Sequence, residues 1–253
     1  MNRPVALVLG FVAVFALCPA ALADNIRPVP VGPPILPGET TLQTFFDTQT
    51  DSTIDVANDQ QTPAIFTPTS NNVSTVTLRL EETLFGNSFG IYQKGNPSFL
   101  IPVIMASGDP GMPGSYSNIV FNPGGVANRV RVNRFNDSGG FLGSDIFDDF
   151  GDQFGFYIEH GTGENQKIFY SEDGLNENGN AHFLAYMGNG LDAGVWFFAF
   201  EDSFNLAIDH DYNDVVIGAE SVNPAPAIPE PASLLLVGSG LLGLARRGRG
   251  RAR

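Results

Sequence analysis

Between residues 41 and 218 the chain is built from short apolar or alternating runs cut by Gly, Pro, Asn, Asp and Ser every few positions. The runs are Val73–Leu80, Phe89–Tyr92, Phe99–Met105, Asn128–Val132, Phe154–Glu159, Lys167–Tyr170, His182–Met187, Val195–Phe200 and Asp214–Gly218. Runs of this length between turn formers predict strands, and helical periodicity is scarce. Val76-Thr-Leu-Arg-Leu80 alternates, as a strand with one exposed face does. Trp196-Phe-Phe-Ala-Phe200 does not, which predicts a central strand covered on both faces. The expected fold is all-β, a single antiparallel β-sandwich or jelly-roll-like domain over residues 41–218.

Other stretches frame that domain. Residues 24–40 hold Pro28, Pro30, Pro33, Pro34 and Pro37 and predict an extended, Pro-rich leader, and residues 219–228 predict a linker. FGNSFGIY at 85–92 is echoed by FGDQFGFY at 150–157, with identity at five of eight positions. Two strands entered by similar glycine turns would produce this echo. So would a duplicated half-sandwich with matching strands in two sheets.

The two ends are unlike the middle. Arg3, the apolar run Val5–Leu17 and the small-x-small site Ala21-Leu22-Ala23 predict a secretory signal peptide over residues 1–23, cut between Ala23 and Asp24. Leu17 before Cys18 and Pro19 after it disfavour lipoprotein processing. Cys18 is the one cysteine in the sequence, so the exported domain is expected to hold together without disulfides. At the far end stand Pro229-Glu230-Pro231, an uncharged apolar segment from Ala232 to Ala245, and Arg246, Arg247, Arg249, Arg251 and Arg253. As a helix the apolar segment would be about 21 Å long, short of a hydrocarbon core of about 30 Å. It can span with local thinning and snorkelling arginines, leaving the arginines cytoplasmic and the body of the protein outside.

This tripartite tail over residues 229–253 resembles the PEP-CTERM sorting signal of exported bacterial proteins. The resemblance implies a Gram-negative bacterium and an exosortase as partner. That membrane transpeptidase would cut near Pro229-Glu230-Pro231, so the inner-membrane anchor is transient and the protein passes to the cell surface or extracellular matrix. It further implies an association with exopolysaccharide and biofilm.

Charge narrows what the middle binds. Of 27 acids and 13 bases, six bases and one acid lie in the two ends, which leaves 26 acids against 7 bases and a net charge of −19 for residues 24–228. A surface this acidic repels nucleic acid and favours cations. The acids concentrate in one expected hairpin. If Val195–Phe200 pairs with Asp214–Gly218, Glu201 and Asp202 leave one strand where Asp209, Asp211 and Asp214 approach the next. Five carboxylates then meet Asn213 with no lysine or arginine in the segment. Unpaired, they would repel or shift their pKa values upward. Calcium, which takes six to eight oxygen ligands, removes that conflict. Asp209, Asp211 and Asn213 follow the opening of an EF-hand-type loop, but Asp214 stands where that loop needs glycine, and a strand-like run follows. The competing reading is a solvated acidic turn with Asx-type hydrogen bonds.

Phe200 to Ile217, FEDSFNLAIDHDYNDVVI, resembles the closing motif of domain-of-unknown-function family 4114, with looser similarity back to about residue 145. The resemblance implies a β-rich extracellular domain with calcium ligands at Glu201, Asp202, Asp209, Asp211, Asn213 and Asp214. It implies no reaction.

Other signals are weaker. Asp145, Asp148, Asp149 and Asp152 form a second acidic cluster, either a solvated loop or a second cation site. Gly86-Asn-Ser-Phe-Gly90 fits a nucleophile elbow but has Gly and Pro where a helix should follow. His160, His182 and His210 lack zinc spacing, and His182 is expected to be a packed strand residue. The expected function is therefore a non-enzymatic, calcium-binding, exosortase-sorted surface or matrix protein with a structural or adhesive role. The alternative is a secreted carbohydrate-binding module or a carboxylate-based glycoside hydrolase. A sugar platform needs exposed aromatics, and Trp196, Tyr186 and Tyr157 lie in apolar runs that predict core.

Overall fold

The structure, a computed structural model, describes residues 26–34, 39–70, 73–83, 87–105, 113–161, 166–203, 205–206 and 209–226. The signal peptide with Ala23 and Asp24, and the tail with Pro229, Glu230 and Pro231, lie outside the described residues.

Two antiparallel sheets face each other, as the strand pattern predicts. The strands are β1 (Ile65–Pro68), β2 (Ser74–Thr83), β3 (Asn87–Gln93), β4 (Asn96–Ile104), β5 (Tyr116–Phe121), β6 (Val130–Phe135), β7 (Phe141–Phe147), β8 (Phe154–His160), β9 (Lys167–Tyr170), β10 (Phe183–Met187), β11 (Trp196–Phe200), β12 (Val215–Glu220) and β13 (Val222–Pro224). The larger sheet has the order β10-β11-β12-β2-β5-β6-β7. The smaller has the order β13-β1-β8-β3-β4, with β9 also on β8.

Alternation decides what lies between them. Val76, Leu78 and Leu80 of β2 turn inward and are buried with Phe89, Ile91, Phe154, Phe156, Phe198 and Phe200 in one aromatic-rich core. Phe66, Phe156 and Phe198 pack with ring centroids 4.4–5.4 Å apart, the offset and edge-on range in which aromatic pairs are favourable.

A helix missing from the sequence reading covers the other face of β10–β12. The helix α1 (Leu42–Gln49) is capped by Thr41, whose hydroxyl accepts from the Thr44 N–H at 2.9 Å. Leu42, Phe45 and Phe46 share one helical face and bury against Leu184, Tyr186, Phe197, Ala199 and Val216. Trp196, Phe198 and Phe200 therefore point into the sandwich while Phe197 and Ala199 point under the helix. This is why Trp196–Phe200 does not alternate.

The sequence boundaries need three corrections. The described part of the Pro-rich leader docks on the domain. Val29 and Val31 pack on the second core, and the Arg27 guanidinium forks onto buried Asp173 at 3.0 and 3.1 Å. Residues 219–224, expected as linker, complete β12 and form β13, which pairs with β1. Strands β1, β5 and β7 were not expected. β1 ends in proline, β5 mixes Ser and Asn into its run, and β7 carries Gly and Asp in its middle.

The internal echo has a different cause from duplication across sheets. β3 and β8 are antiparallel neighbours in one sheet, with Gly90 opposite Tyr157 and Gly155 opposite Tyr92. Each tyrosine lies over the glycine of the other strand. A Cβ on Gly90 would come within 2.5 Å of Tyr157 Cε1, and one on Gly155 within 2.3 Å of Tyr92 Cζ. Phe-Gly-x-Tyr recurs because an antiparallel pair is locally two-fold symmetric and both halves of this pair use the same fit.

Candidate metal centre

The hairpin forms as the sequence predicts. β11 pairs with β12 with Phe200 opposite Val215, so Glu201 and Asp214 emerge side by side at the rim of the larger sheet. The loop returns over them. One carboxylate oxygen each from Glu201, Asp209 and Asp211 lie within 4.8 Å of one another, and Glu201, Asp202 and Asp214 form a second such group. Glu201 belongs to both.

Main-chain geometry holds the cluster together. Glu201 Oε1 accepts from the Ser203 N–H at 2.9 Å, and its Oε2 accepts from the Tyr212 N–H at 3.2 Å. Asp214 Oδ2 accepts from the Asp202 N–H at 2.7 Å. Tyr212 sits at φ 55, a left-handed conformation uncommon for an aromatic residue. Its buried ring and its hydroxyl, which donates to the Ala181 carbonyl at 2.9 Å, hold it there. Asn213 Nδ2 donates to the Thr40 carbonyl at 2.8 Å, which ties the loop to the start of α1.

Four of the six side chains are buried, and Asp202 and Asp209 are half-buried, so most of the cluster is not a solvated turn. Glu201 is 0 % exposed, Asp211 2 %, Asp214 5 % and Asn213 6 %. Among the described residues no lysine or arginine forms an ion pair with Glu201, Asp202, Asp209, Asp211 or Asp214. Without a cation, burial pushes Glu201 up to about 7 and Asp211 up to about 6. Burial, reinforced by the charges of Glu201 and Asp202, pushes Asp214 up further. Asp209 is raised by burial and by the charges of Glu39 and Asp202, and its Oδ1 is buried with no hydrogen-bond partner. Uncompensated buried carboxylates cost several kcal/mol each. An oxygen-only set of this kind, partly charged and partly neutral, suits a hard cation such as calcium.

Several participants were invisible in the hairpin sequence. Glu39, from the end of the leader, acts on Asp209 and Asp211. Asp202 reaches the other sheet. Its Oδ2 accepts from Asn87 Nδ2 at 2.7 Å and pairs with His160 Nδ1 at 2.9 Å, at the paired ends of β3 and β8. Gly32 packs against the His210 imidazole, where a Cβ would come within 2.8 Å of the ring.

Other candidates fall outside the centre. Asp145 lies in β7, not in a loop, and pairs with Arg134, whereas Asp148, which pairs with Arg129, and the exposed Asp149 and Asp152 lie in the loop that follows. Ser88 lies inside β3, where an elbow would need a helix to follow. His182 is buried, stacks on Phe169 at 4.3 Å, and is held below its ordinary pKa by burial. Trp196, Tyr186 and Tyr157 are core residues, so none can present a ring to a sugar.

Comparison with known proteins identifies the tail. Residues 227–250 match the PEP-CTERM protein-sorting motif. The chain is thus an exported protein with a C-terminal sorting signal, for which an exosortase is the sorting partner. The match stops at the tail, and the comparisons lend no support to the resemblance to family 4114. No curated protein matches the chain. Among solved structures, the lectin CV2L of Chromobacterium violaceum, in complex with alpha-methyl-fucoside, aligns with 65 % of this chain and 99 % of its own, at 10 % identity and a TM-score of 0.28. A likeness that low carries no argument about ligand. Among the described residues no helix is long and apolar enough to cross a membrane, and the segment from Ala232 to Ala245 lies outside them.

Proposed function

We propose that the chain is a calcium-stabilised β-sandwich of the bacterial cell surface or extracellular matrix, with a structural or adhesive role beside exopolysaccharide. The observation that carries the calcium reading is the burial of Glu201, Asp211 and Asp214, in two carboxylate groups that share Glu201, with no lysine or arginine ion-paired to them among the described residues. The ligands would be Glu201, Asp202, Asp209, Asp211, Asn213 and Asp214, with Glu39 adding charge at the entrance. Calorimetric titration of the exported protein tests this. Calcium is expected to bind and release protons, and Asp211→Ala is expected to lose most of the heat. No calcium heat in the parent protein removes the reading.

The role is structural rather than catalytic. Carboxylate catalysis needs one acid kept protonated opposite an ionised partner. Calcium would hold all of these acids ionised and leave none to donate. Incubated with bacterial and plant polysaccharides in calcium, the protein is expected to show no turnover. Turnover lost on mutating Glu201 or Asp214 would favour the glycoside hydrolase alternative.

The sorting signal supports surface delivery with loss of the tail. Mass spectrometry of surface-located protein is expected to find no peptides from Ala232 onward. Intact arginine-tail peptides in that fraction would contradict processing near Pro229-Glu230-Pro231.

A further inference from the structure

Calcium holds its oxygen ligands at about 2.3–2.6 Å, so two ligands of one ion lie within about 5 Å of each other. The acidic hairpin meets that limit in two places and not in one. Glu201, Asp209 and Asp211 each offer an oxygen within 4.8 Å of the others, and so do Glu201, Asp202 and Asp214. Among the described residues no single set holds all five carboxylates.

The two sets are pinned apart. Asp202 Oδ2 is held by Asn87 and His160, at the paired ends of β3 and β8 in the smaller sheet. Asp214 Oδ2 takes the Asp202 N–H at 2.7 Å. On the other side, Asp211 Oδ1 accepts from the Asn213 N–H at 3.3 Å, and the Asn213 side chain is tied to Thr40. Drawing all five carboxylates around one ion would pull against these bonds. Glu201 belongs to both sets, and different donors hold its two oxygens. Oε1 takes the N–H of Ser203, next to Asp202, and Oε2 takes that of Tyr212, next to Asp211.

Each set also lacks something that a cation supplies. In the first, Asp209 Oδ1 is buried with no hydrogen-bond partner. In the second, Glu201 and Asp214 are almost wholly buried, and among the described residues no lysine or arginine is ion-paired with them. Ionised, the five carboxylates carry a charge of −5. One calcium would leave −3 in a cluster where Glu201, Asp211 and Asp214 are buried, and two would leave −1. Uncompensated charge is costly where water is excluded, so the burial that favours a first ion also favours a second.

Building on the calcium reading above, we propose that the centre holds two calcium ions. One sits on Glu201, Asp209 and Asp211, the other on Glu201, Asp202 and Asp214, and Glu201 bridges them. The second ion, through Asp202, fastens the rim of the larger sheet to β3 and β8 of the smaller. Equilibrium dialysis of the exported protein against millimolar radioactive calcium counts the ions, in about 0.15 M salt to screen loose surface binding. Two ions per chain are expected. Asp209→Asn and Asp202→Asn change half-buried side chains with little change of shape, and each is expected to hold one ion with an unchanged circular dichroism spectrum in chelator. Glu201→Gln is expected to lose both. One ion per chain in the parent protein overturns the pair and leaves the calcium reading standing, whereas none removes both. Two ions retained in Asp209→Asn or in Asp202→Asn overturn the assignment of the sets.

Discussion

In millimolar calcium the exported protein should melt about 5–10 °C above its midpoint in chelator, provided calcium exceeds its dissociation constant about a hundredfold. A ligand that binds only the native state stabilises it by about 2.7 kcal/mol at that excess. The pH dependence separates a cation site from any other source of the gain. Glu201 and Asp211 have folded pKa values raised to about 7 and about 6, above their ordinary carboxylate values. The folded chain without calcium therefore holds protons that the unfolded chain has already lost. That stability is fully present below the ordinary carboxylate range and is lost as pH rises through about 6 to 7. In chelator the melting temperature should fall between about pH 4 and pH 7. In calcium the fall should vanish or reverse, because the cation takes the place of the protons. Asp211→Ala should remove most of the calcium gain, whereas Asp148→Ala, in an exposed ion pair with Arg129, should keep it. Identical melting curves in chelator and calcium at neutral pH would remove the metal centre from this fold.

Replacing Arg27 with alanine should destabilise the domain by about 3–5 kcal/mol, the usual consequence of stranding one partner of a buried ion pair. The Arg27 side chain is 6 % exposed and that of Asp173 is 0 %. The guanidinium satisfies both Asp173 oxygens and also donates to the Phe183 carbonyl at 3.1 Å. This bidentate clasp fastens the leader across the edge of the larger sheet. Its loss should loosen the Gly32–His210 contact and, through it, the loop that carries Asp209 and Asp211. The variant should therefore bind calcium more weakly as well as melt lower. Arg27→Lys should recover little, because a single ammonium cannot fork onto both oxygens. Thermal melts of the three proteins decide the matter, and an Arg27→Ala midpoint within a degree of the parent would show that the clasp carries no weight.

What the sequence determined by itself is what depends on near neighbours. The strand runs, the double-sided burial of Trp196–Phe200 and the pairing of β11 with β12 all follow from side-chain pattern over a few residues. Because the hairpin is local, the meeting of Glu201 and Asp202 with Asp209, Asp211, Asn213 and Asp214 was legible too. The helix α1 escaped notice because its apolar positions span barely two turns among Thr and Gln. Tertiary structure alone decided the rest. Arg27 and Asp173 stand 146 residues apart, and Asp202 meets Asn87 and His160 across two sheets. No local pattern encodes such distances. The same holds for burial, which turns the acidic loop from a solvated turn into a candidate cation site. A carboxylate becomes costly only when other parts of the chain cover it. Here that cover comes from the leader and the start of α1, packed over a hairpin about 170 residues further on.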